Sequence, residues 1–210
     1  MKLLLSFICM FFLVTTIQAQ KTHSILLNAY GGYTFRDKVN FGDLYGYVDE
    51  AFQYGGGLEF FLQRHQSFEV KYLRMDTHMP LYRTGGGTKL NEGNDDGSVS
   101  YLLFGSNNYF GDPDGKVMPY AGADLGAGFV ALKNGGSGTH FAYDIKLGIK
   151  ANTTTAFTYK FQAYMQSVVS SFGSDFYTTA GGAIISTPDY TTILQFGLTA
   201  IICYDFKHTK

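Results

Sequence analysis

Charged residues are sparse in this sequence, and several of them have a spacing that would let them form ion pairs. They alternate with apolar residues along runs with a period of two, which is the period of a β-strand. An unpaired charge is costly inside a narrow interior, so acids and amines on one common face predict a network of ion pairs. This candidate network consists of Glu59, Glu69, Lys71, Asp124, Asp144, Lys146, Lys150, Lys160 and Asp205.

Residues with the spacing of a catalytic or metal site are not found. Nucleophilic catalysis needs a serine beside a histidine that a carboxylate orients. His23 adjoins Ser24 near the N-terminus, whereas His78 and His140 have no suitably spaced serine. The segment NEGNDDGS, residues 91–98, has three carboxylates without the alternate-position ligands of a calcium loop. The sequence therefore predicts a protein that is not an enzyme, with no catalytic residue, no metal and no cofactor.

Eight strand-like runs must position the charged residues. The last of them, TILQFGLTAIICYDF, has an unbroken apolar face opposite an amide, a hydroxyl and a carboxylate. The fourth run fits either register, so its facing stays open. Eight runs joined largely by alternating long and short connections predict an all-β, eight-stranded antiparallel up-and-down transmembrane β-barrel. The runs cover residues 25–35, 52–62, 68–72, 99–109, 119–132, 141–150, 157–166 and 192–206.

A soluble sandwich or a lipocalin-like barrel would also have strands that alternate between apolar and polar residues. The composition of the polar face therefore has to distinguish a soluble protein from a membrane protein. Soluble strands usually present many lysines and glutamates to water, whereas these polar faces are rich in Gly, Thr, Gln and Tyr. Aromatic residues gather near the strand ends, as in the interfacial girdles of membrane barrels. We therefore expect lipid on the apolar face and a polar interior. The formal net charge of −1 argues against a nucleic-acid partner.

The N-terminal segment has the order of a secretory signal. Residues 1–19, MKLLLSFICMFFLVTTIQA, begin with a lysine, continue with an apolar stretch and end in small and polar residues. The apolar stretch is shorter than the ~20 residues of a membrane-spanning helix. We predict a cleaved signal peptide at 1–19 and a barrel domain at 20–210. Cleavage leaves Cys203 alone, so internal disulfides are excluded.

Together, the signal segment, the PYAGADLGAG segment and the final strand resemble the small outer-membrane β-barrel family of Gram-negative bacteria, which includes the OmpA transmembrane domain and the OmpX- and OmpW-type proteins. The PY-x-G-x-x-x-G run of that family matches Pro119, Tyr120, Gly122 and Gly126. The resemblance implies the cell outer membrane as the location, with its lipid and lipopolysaccharide as partners. It also implies a signal in the last strand for the barrel-assembly machinery, matched by Leu198, Ala200, Ile202, Tyr204 and Phe206. The family commonly ends on the aromatic residue, whereas here residues 207–210 follow.

A long connection before the last strand offers a contact surface. It carries more apolar residues than a solvated loop usually does, notably Phe172, Phe176, Tyr177, Ile184 and Ile185. They could bind a partner protein or an apolar solute, or the two flanking strands could extend as a hairpin. The sequence favours a structural or interaction role, as an accessory subunit of a larger outer-membrane complex with other envelope proteins. A narrow conduit for small hydrophobic solutes is the alternative, and a lipid-modifying enzyme is less favoured.

Overall fold

The structure, a computed structural model, describes residues 24–41, 44–171, 177–178, 184–185 and 190–207. The predicted signal peptide at 1–19 lies outside these residues. Within them, the chain forms the strands β1 (Ile25–Thr34), β2 (Asp37–Phe41), β3 (Leu44–Val48), β4 (Ala51–Gln63), β5 (Gln66–His78), β6 (Leu81–Arg83), β7 (Asp96–Tyr109), β8 (Val117–Leu132), β9 (Ser137–Ala151), β10 (Phe157–Ser171), β11 (Tyr177–Thr178), β12 (Ile184–Ile185) and β13 (Tyr190–Asp205). Among the described residues, no helix has the length and hydropathy needed to cross a membrane.

Eight of these strands close into an antiparallel barrel in the order β1, β13, β10, β9, β8, β7, β5 and β4, with β4 pairing back to β1. This confirms the predicted fold class. Alternation gives each strand an apolar outer face, on which Leu125 and Leu147 are 59% and 64% exposed. The register that the sequence left open is settled in β7, where Leu102 and Phe104 point outward and Tyr101 points inward.

The connections differ between the two ends of the barrel. At one end the strands are joined by 64–65, 110–116 and 152–156. At the other end, termed the external rim, three of the four connections are longer, and the remaining one, 133–136, is short. The third external connection is shorter than the predicted 132–140, because β8 and β9 stay paired as far as Ala131 and Ser137. The strands β10 and β13 pair up to Ser171 and Tyr190, which agrees with the extended-hairpin alternative.

A small three-stranded sheet of β2, β3 and β6 lies at the external rim, within segments that the sequence suggested only as loops. Its strands alternate like those of the barrel but are too short to be recognised by periodicity alone. Val39, Val48 and Leu81 are buried on one face and join the apolar core. The opposite face carries the polar and tyrosine side chains of the same strands.

Candidate functional site

The candidate site is the charged centre of the barrel interior. The strand register places residues of like charge directly opposite each other: Glu59 faces Glu69 between β4 and β5, and Asp124 faces Asp144 between β8 and β9. Such neighbours destabilise a sheet unless other groups compensate. Here lysines compensate: Lys160 and Lys71 reach across from other strands, and Lys146 reaches Asp124 from the adjacent strand β9.

The Glu59 carboxylate is enclosed by donors from four other strands. The Lys160 Nζ atom, on β10, contacts its Oε2 atom, and both side chains are buried. Its Oε1 atom accepts hydrogen bonds from the hydroxyls of Ser67 and Tyr109 and, at 3.1 Å, from Asn107 Nδ2. Asn28 of β1 adds a bond to Oε2 at 3.2 Å. Charge-assisted bonds of this kind offset the cost of burying a carboxylate.

The other three carboxylates share two lysines. Asp124 Oδ2 lies 2.7 Å from Lys146 Nζ and 2.8 Å from Lys71 Nζ, so one oxygen bridges two ammonium groups. Lys146 also contacts Glu69, and Lys71 also contacts Asp144. All five side chains are buried, so these contacts fix the centre of the barrel.

The structure brings seven of the nine predicted network residues into this cluster and leaves out Lys150 and Asp205. Lys150 Nζ lies 4.7 Å from the ring centroid of Phe61 and 5.5 Å from that of Tyr109, in cation–π contacts. Asp205 Oδ1 accepts the backbone N–H of Lys207 at 2.9 Å. Both residues lie near strand ends and are only partly buried, so they need no buried counter-charge.

Uncharged partners of the cluster were not predicted. The Tyr30 hydroxyl and Asn28 Nδ2 both donate to Glu69 Oε1, and Ser67, Asn107 and Tyr109 serve Glu59. The sequence did contain a signal for these partners, because each of them occupies one of the alternate positions of its strand that face inward. Sequence reasoning counted only ionised groups and therefore missed them.

Glycines make room for the cluster. A Cβ atom on Gly105 would lie 2.2 Å from Asp124 Oδ1 and 2.1 Å from the carbonyl oxygen of Ala123. A Cβ on Gly122 would lie 2.6 Å from Lys146 Cε. Gly105 of β7 and Gly122 of the PYAGADLGAG segment thus make room for the charged side chains that pack over them.

The interior is not polar throughout, which corrects the expectation from the strand pattern. Toward the external rim, the inward positions hold Met75, Val99, Tyr101, Val130 and Ile193, all buried. Because the small external sheet covers this end of the barrel, these side chains contact its buried face instead of water. The lumen therefore has a charged centre and an apolar external end.

The residues of the proposed assembly signal lie on the outer face of the closing strand. Leu198, Ala200, Ile202 and Tyr204 point outward from β13, which pairs with β10 on one side and β1 on the other. The exposed Phe206 follows directly, and its backbone N–H donates to the Ile25 carbonyl at 3.1 Å. This arrangement places an apolar stripe on the outer surface of the closing strand.

The candidate loop contact is described only in part. Tyr177 pairs with Ile185 in the two-stranded sheet of β11 and β12, which also contains Ile184. Phe172 and Phe176 lie outside the described residues. Across the described ranges, no group of three or more His, Cys, Asp or Glu residues is arranged to hold a metal ion.

Comparisons with known proteins agree with this architecture. No protein-family model matches the sequence, and no curated protein matches it. Among solved structures, the outer membrane protein OprG from Pseudomonas aeruginosa is similar with a TM-score of 0.58 and 13% identity, over 90% of this chain and 99% of that chain. Neisserial surface protein A is similar with a TM-score of 0.53 and 12% identity, over 85% and 96% of the two chains. This chain therefore has the fold of the small eight-stranded outer-membrane β-barrel proteins.

Proposed function

We propose that this protein is a non-conducting barrel of the outer membrane that acts by contact, as an accessory subunit beside other envelope proteins. The observation that carries the proposal is the buried cluster of Glu59, Asp124, Lys71, Lys146 and Lys160, which links strands on opposite sides of the lumen. A barrel whose interior is occupied by its own ion pairs offers its outer surfaces for function.

The outer face supports the membrane location. Large apolar side chains are exposed all round the barrel, among them Leu58, Val70, Leu102, Phe104, Leu125, Ile145, Leu147, Phe161, Phe196 and Leu198. Soluble monomers rarely expose a continuous apolar surface of this extent. We infer that outer-membrane lipid covers this band, that lipopolysaccharide surrounds the external rim, and that barrel-assembly machinery inserts the chain. The predicted signal peptide would direct export.

The packed centre disfavours a conduit for small hydrophobic solutes. A solute would have to separate buried ion pairs, and breaking one such pair leaves an uncompensated charge at a cost of about 3–5 kcal/mol. The apolar external end adds a second obstacle, since Tyr101 and Met75 occupy the lumen above the charged centre. We therefore favour contact over transport.

Current recordings in planar lipid bilayers test the proposal. Protein that has first been shown to be inserted, by flotation with vesicles and by a shift between heated and unheated gel samples, should give no stepwise conductance. Discrete current steps that small apolar solutes block would overturn the proposal and favour the conduit. As an accessory subunit, the protein should co-purify with another envelope protein in mild detergent, and recovery only as a lone monomer would contradict that role.

Two further parts of the proposal have separate tests. N-terminal sequencing of protein taken from outer membranes should begin at Gln20, the residue after the predicted signal peptide; a chain that retains Met1 would contradict the cleavage. Overproduction should leave the composition of lipid A unchanged, because the proposal includes no catalysis. A modified lipid A that depends on this protein would favour the enzyme alternative.

A further inference from the structure

The external sheet of β2, β3 and β6 presents a tyrosine cluster on the face opposite its buried side. Tyr45 and Tyr82 are direct cross-strand neighbours, and their rings stack with centroids 5.3 Å apart and planes 16° apart. The Tyr47 ring packs edge-on against both, at 5.8 Å and 6.1 Å. The rings are only half-buried, so aromatic surface remains accessible. The alternation of these short strands is what places all three rings on one face.

A cleft of about 620 Å³ lies beside these rings, here termed the tyrosine cleft. It is lined by Tyr45 and Tyr47, by Lys38 and Asn40, and by the segment 84–87, which reads TGGG. Gly85 and Gly87 have φ angles of 96° and 63°, which favour glycine. The segment 84–87 therefore forms a wall of mostly backbone, with the Thr84 side chain at one end. A cleft of this size is typical of small-molecule sites.

The charge of the cleft comes from one amine. Lys38 Nζ lies 4.8 Å from the Tyr45 ring centroid. Within the part of the chain that the structure describes, Lys38 is the one charged residue in the lining of the cleft. The nearby Arg36 is held by Asp49 at 2.7 Å and lies over Tyr47, so its charge is already balanced. A ligand with a single negative group would complement this site.

We propose that the tyrosine cleft binds a free acidic oligosaccharide that carries a single anionic group. The C–H face of a sugar ring is apolar and packs on a tyrosine ring, while Asn40 and Thr84 can bond its hydroxyls. Lys38 would leave the Tyr45 ring to bind the anionic group in a charge-assisted hydrogen bond. Because one amine lines the cleft, a densely sulfated chain does not fit its charge. Exposure of Lys38, Asn40 and Thr84 makes the cleft accessible from the external medium.

Binding of 3′-sialyllactose, a trisaccharide with one carboxylate, tests the inference. The neutral trisaccharide globotriose is the uncharged control ligand. Titration calorimetry on the full barrel in detergent micelles should show sialyllactose binding at least about tenfold tighter than globotriose, since only sialyllactose can form a charge-assisted hydrogen bond with Lys38. Lys38→Gln should lose about tenfold in affinity for sialyllactose, whereas Lys38→Arg should keep most of it. Tyr45→Ala should weaken both sugars and Tyr45→Phe should not.

The matched control is Lys116→Gln, which removes an exposed amine at the opposite end of the barrel. It should bind sialyllactose like the parent protein. Equal affinity for the two sugars, an unaffected Lys38→Gln protein, or binding that requires lipopolysaccharide vesicles would each overturn the inference. The inference rests on the proposed role of the external surface in contacts. If the barrel binds no sugar and still gives no conductance, only the inference about the tyrosine cleft is rejected. Stepwise conductance would instead reject the proposed function.

Discussion

The Lys160 ammonium contacts the Glu59 carboxylate although their strands, β10 and β4, lie three positions apart around the barrel and the residues are 101 apart in sequence. The contact therefore crosses the lumen instead of following the sheet. Glu59 has Glu69 as its neighbour on β5, and Lys160 has Lys150 as its neighbour on β9. Only the closed barrel brings Lys160 to Glu59.

Removing one partner of this pair should be worse than removing both. Lys160→Met leaves the Glu59 carboxylate buried without its amine, and we expect a loss of about 3–5 kcal/mol in the free energy of unfolding. Adding Glu59→Gln to that variant should recover part of the loss. Urea unfolding in phospholipid vesicles measures both. Lys116→Met, an exposed substitution of the same type, should change little, and a Lys160→Met barrel as stable as the parent would contradict the network.

Two glycines distinguish packing in the interior from packing toward lipid. Gly105→Ala would place a Cβ 2.1 Å from a backbone carbonyl oxygen and 2.2 Å from Asp124 Oδ1, so we expect a loss of about 1–3 kcal/mol in stability. Gly56→Ala, on the outer face of β4, would meet nothing closer than 3.7 Å and should be tolerated. The heat-shifted band on an unboiled gel reports the folded fraction of each. Equal behaviour of the two variants would rule out the close packing.

A lysine on the outer face should report depth in the bilayer. Leu125 lies near the middle of β8 and is 59% exposed, whereas Val117 is 54% exposed and begins the same strand. Leu125→Lys should lower the free energy of unfolding in vesicles by about 2–4 kcal/mol, and Val117→Lys by about 0–1 kcal/mol. Similar losses for both would mean that no hydrocarbon surrounds the centre of the barrel.

The last aromatic residue should matter for insertion in cells more than for stability. Phe206→Ala should reduce the amount of heat-modifiable barrel in outer membranes, because this ring ends the proposed assembly signal, and it should leave refolding in detergent unchanged. Phe110→Ala removes a similarly exposed ring at the end of β7 and serves as the control. Normal amounts of Phe206→Ala barrel would contradict a role for this ring in assembly.

Acid should release one connection at the external rim. Burial raises the pKa of Asp95, but the hydrogen bond from Lys89 Nζ, 2.8 Å from Asp95 Oδ2, acts together with a backbone hydrogen bond and the charge of Lys89, so its pKa is lowered from the usual aspartate value. The ion pair therefore stabilises the folded segment above about pH 4, the ordinary range for aspartate, and is lost as pH falls through the lowered pKa. An NMR titration of the Leu90 amide should show this midpoint. Asp95→Asn should abolish it and Glu92→Gln should retain it; a midpoint above the ordinary aspartate value would contradict the pair.

The barrel could be predicted because its signal is local. A period of two in eight runs defines the strands. An inward polar residue such as Glu59 or Asp124 can be recognised from the run in which it lies, without knowledge of the other runs. Which charged residues pair with each other could not be predicted in this way, because Lys160 and Glu59 are brought together only by the order and register of the strands. No single run contains that information.

The external sheet and the apolar end of the lumen escaped prediction for another reason. DKVNF and LYGYV are five residues each, which is too short for periodicity to separate a strand from a loop. Inward residues such as Val99 and Val130 are apolar, and the sheet that covers them is formed by residues far away in sequence. Both features follow from tertiary packing.

Repulsion between like charges on paired strands disfavours the early formation of two hairpins. An isolated β4–β5 hairpin would hold two carboxylates side by side, and an isolated β9–β10 hairpin two amines, so neither gains from forming early. The attraction between Glu59 and Lys160 arises only when the wall becomes a ring, whereas Lys146 and Asp124 lie on adjacent strands and can pair within the β8–β9 hairpin. Closure of the seam between the first and last strands is therefore the step that brings Lys160 to Glu59.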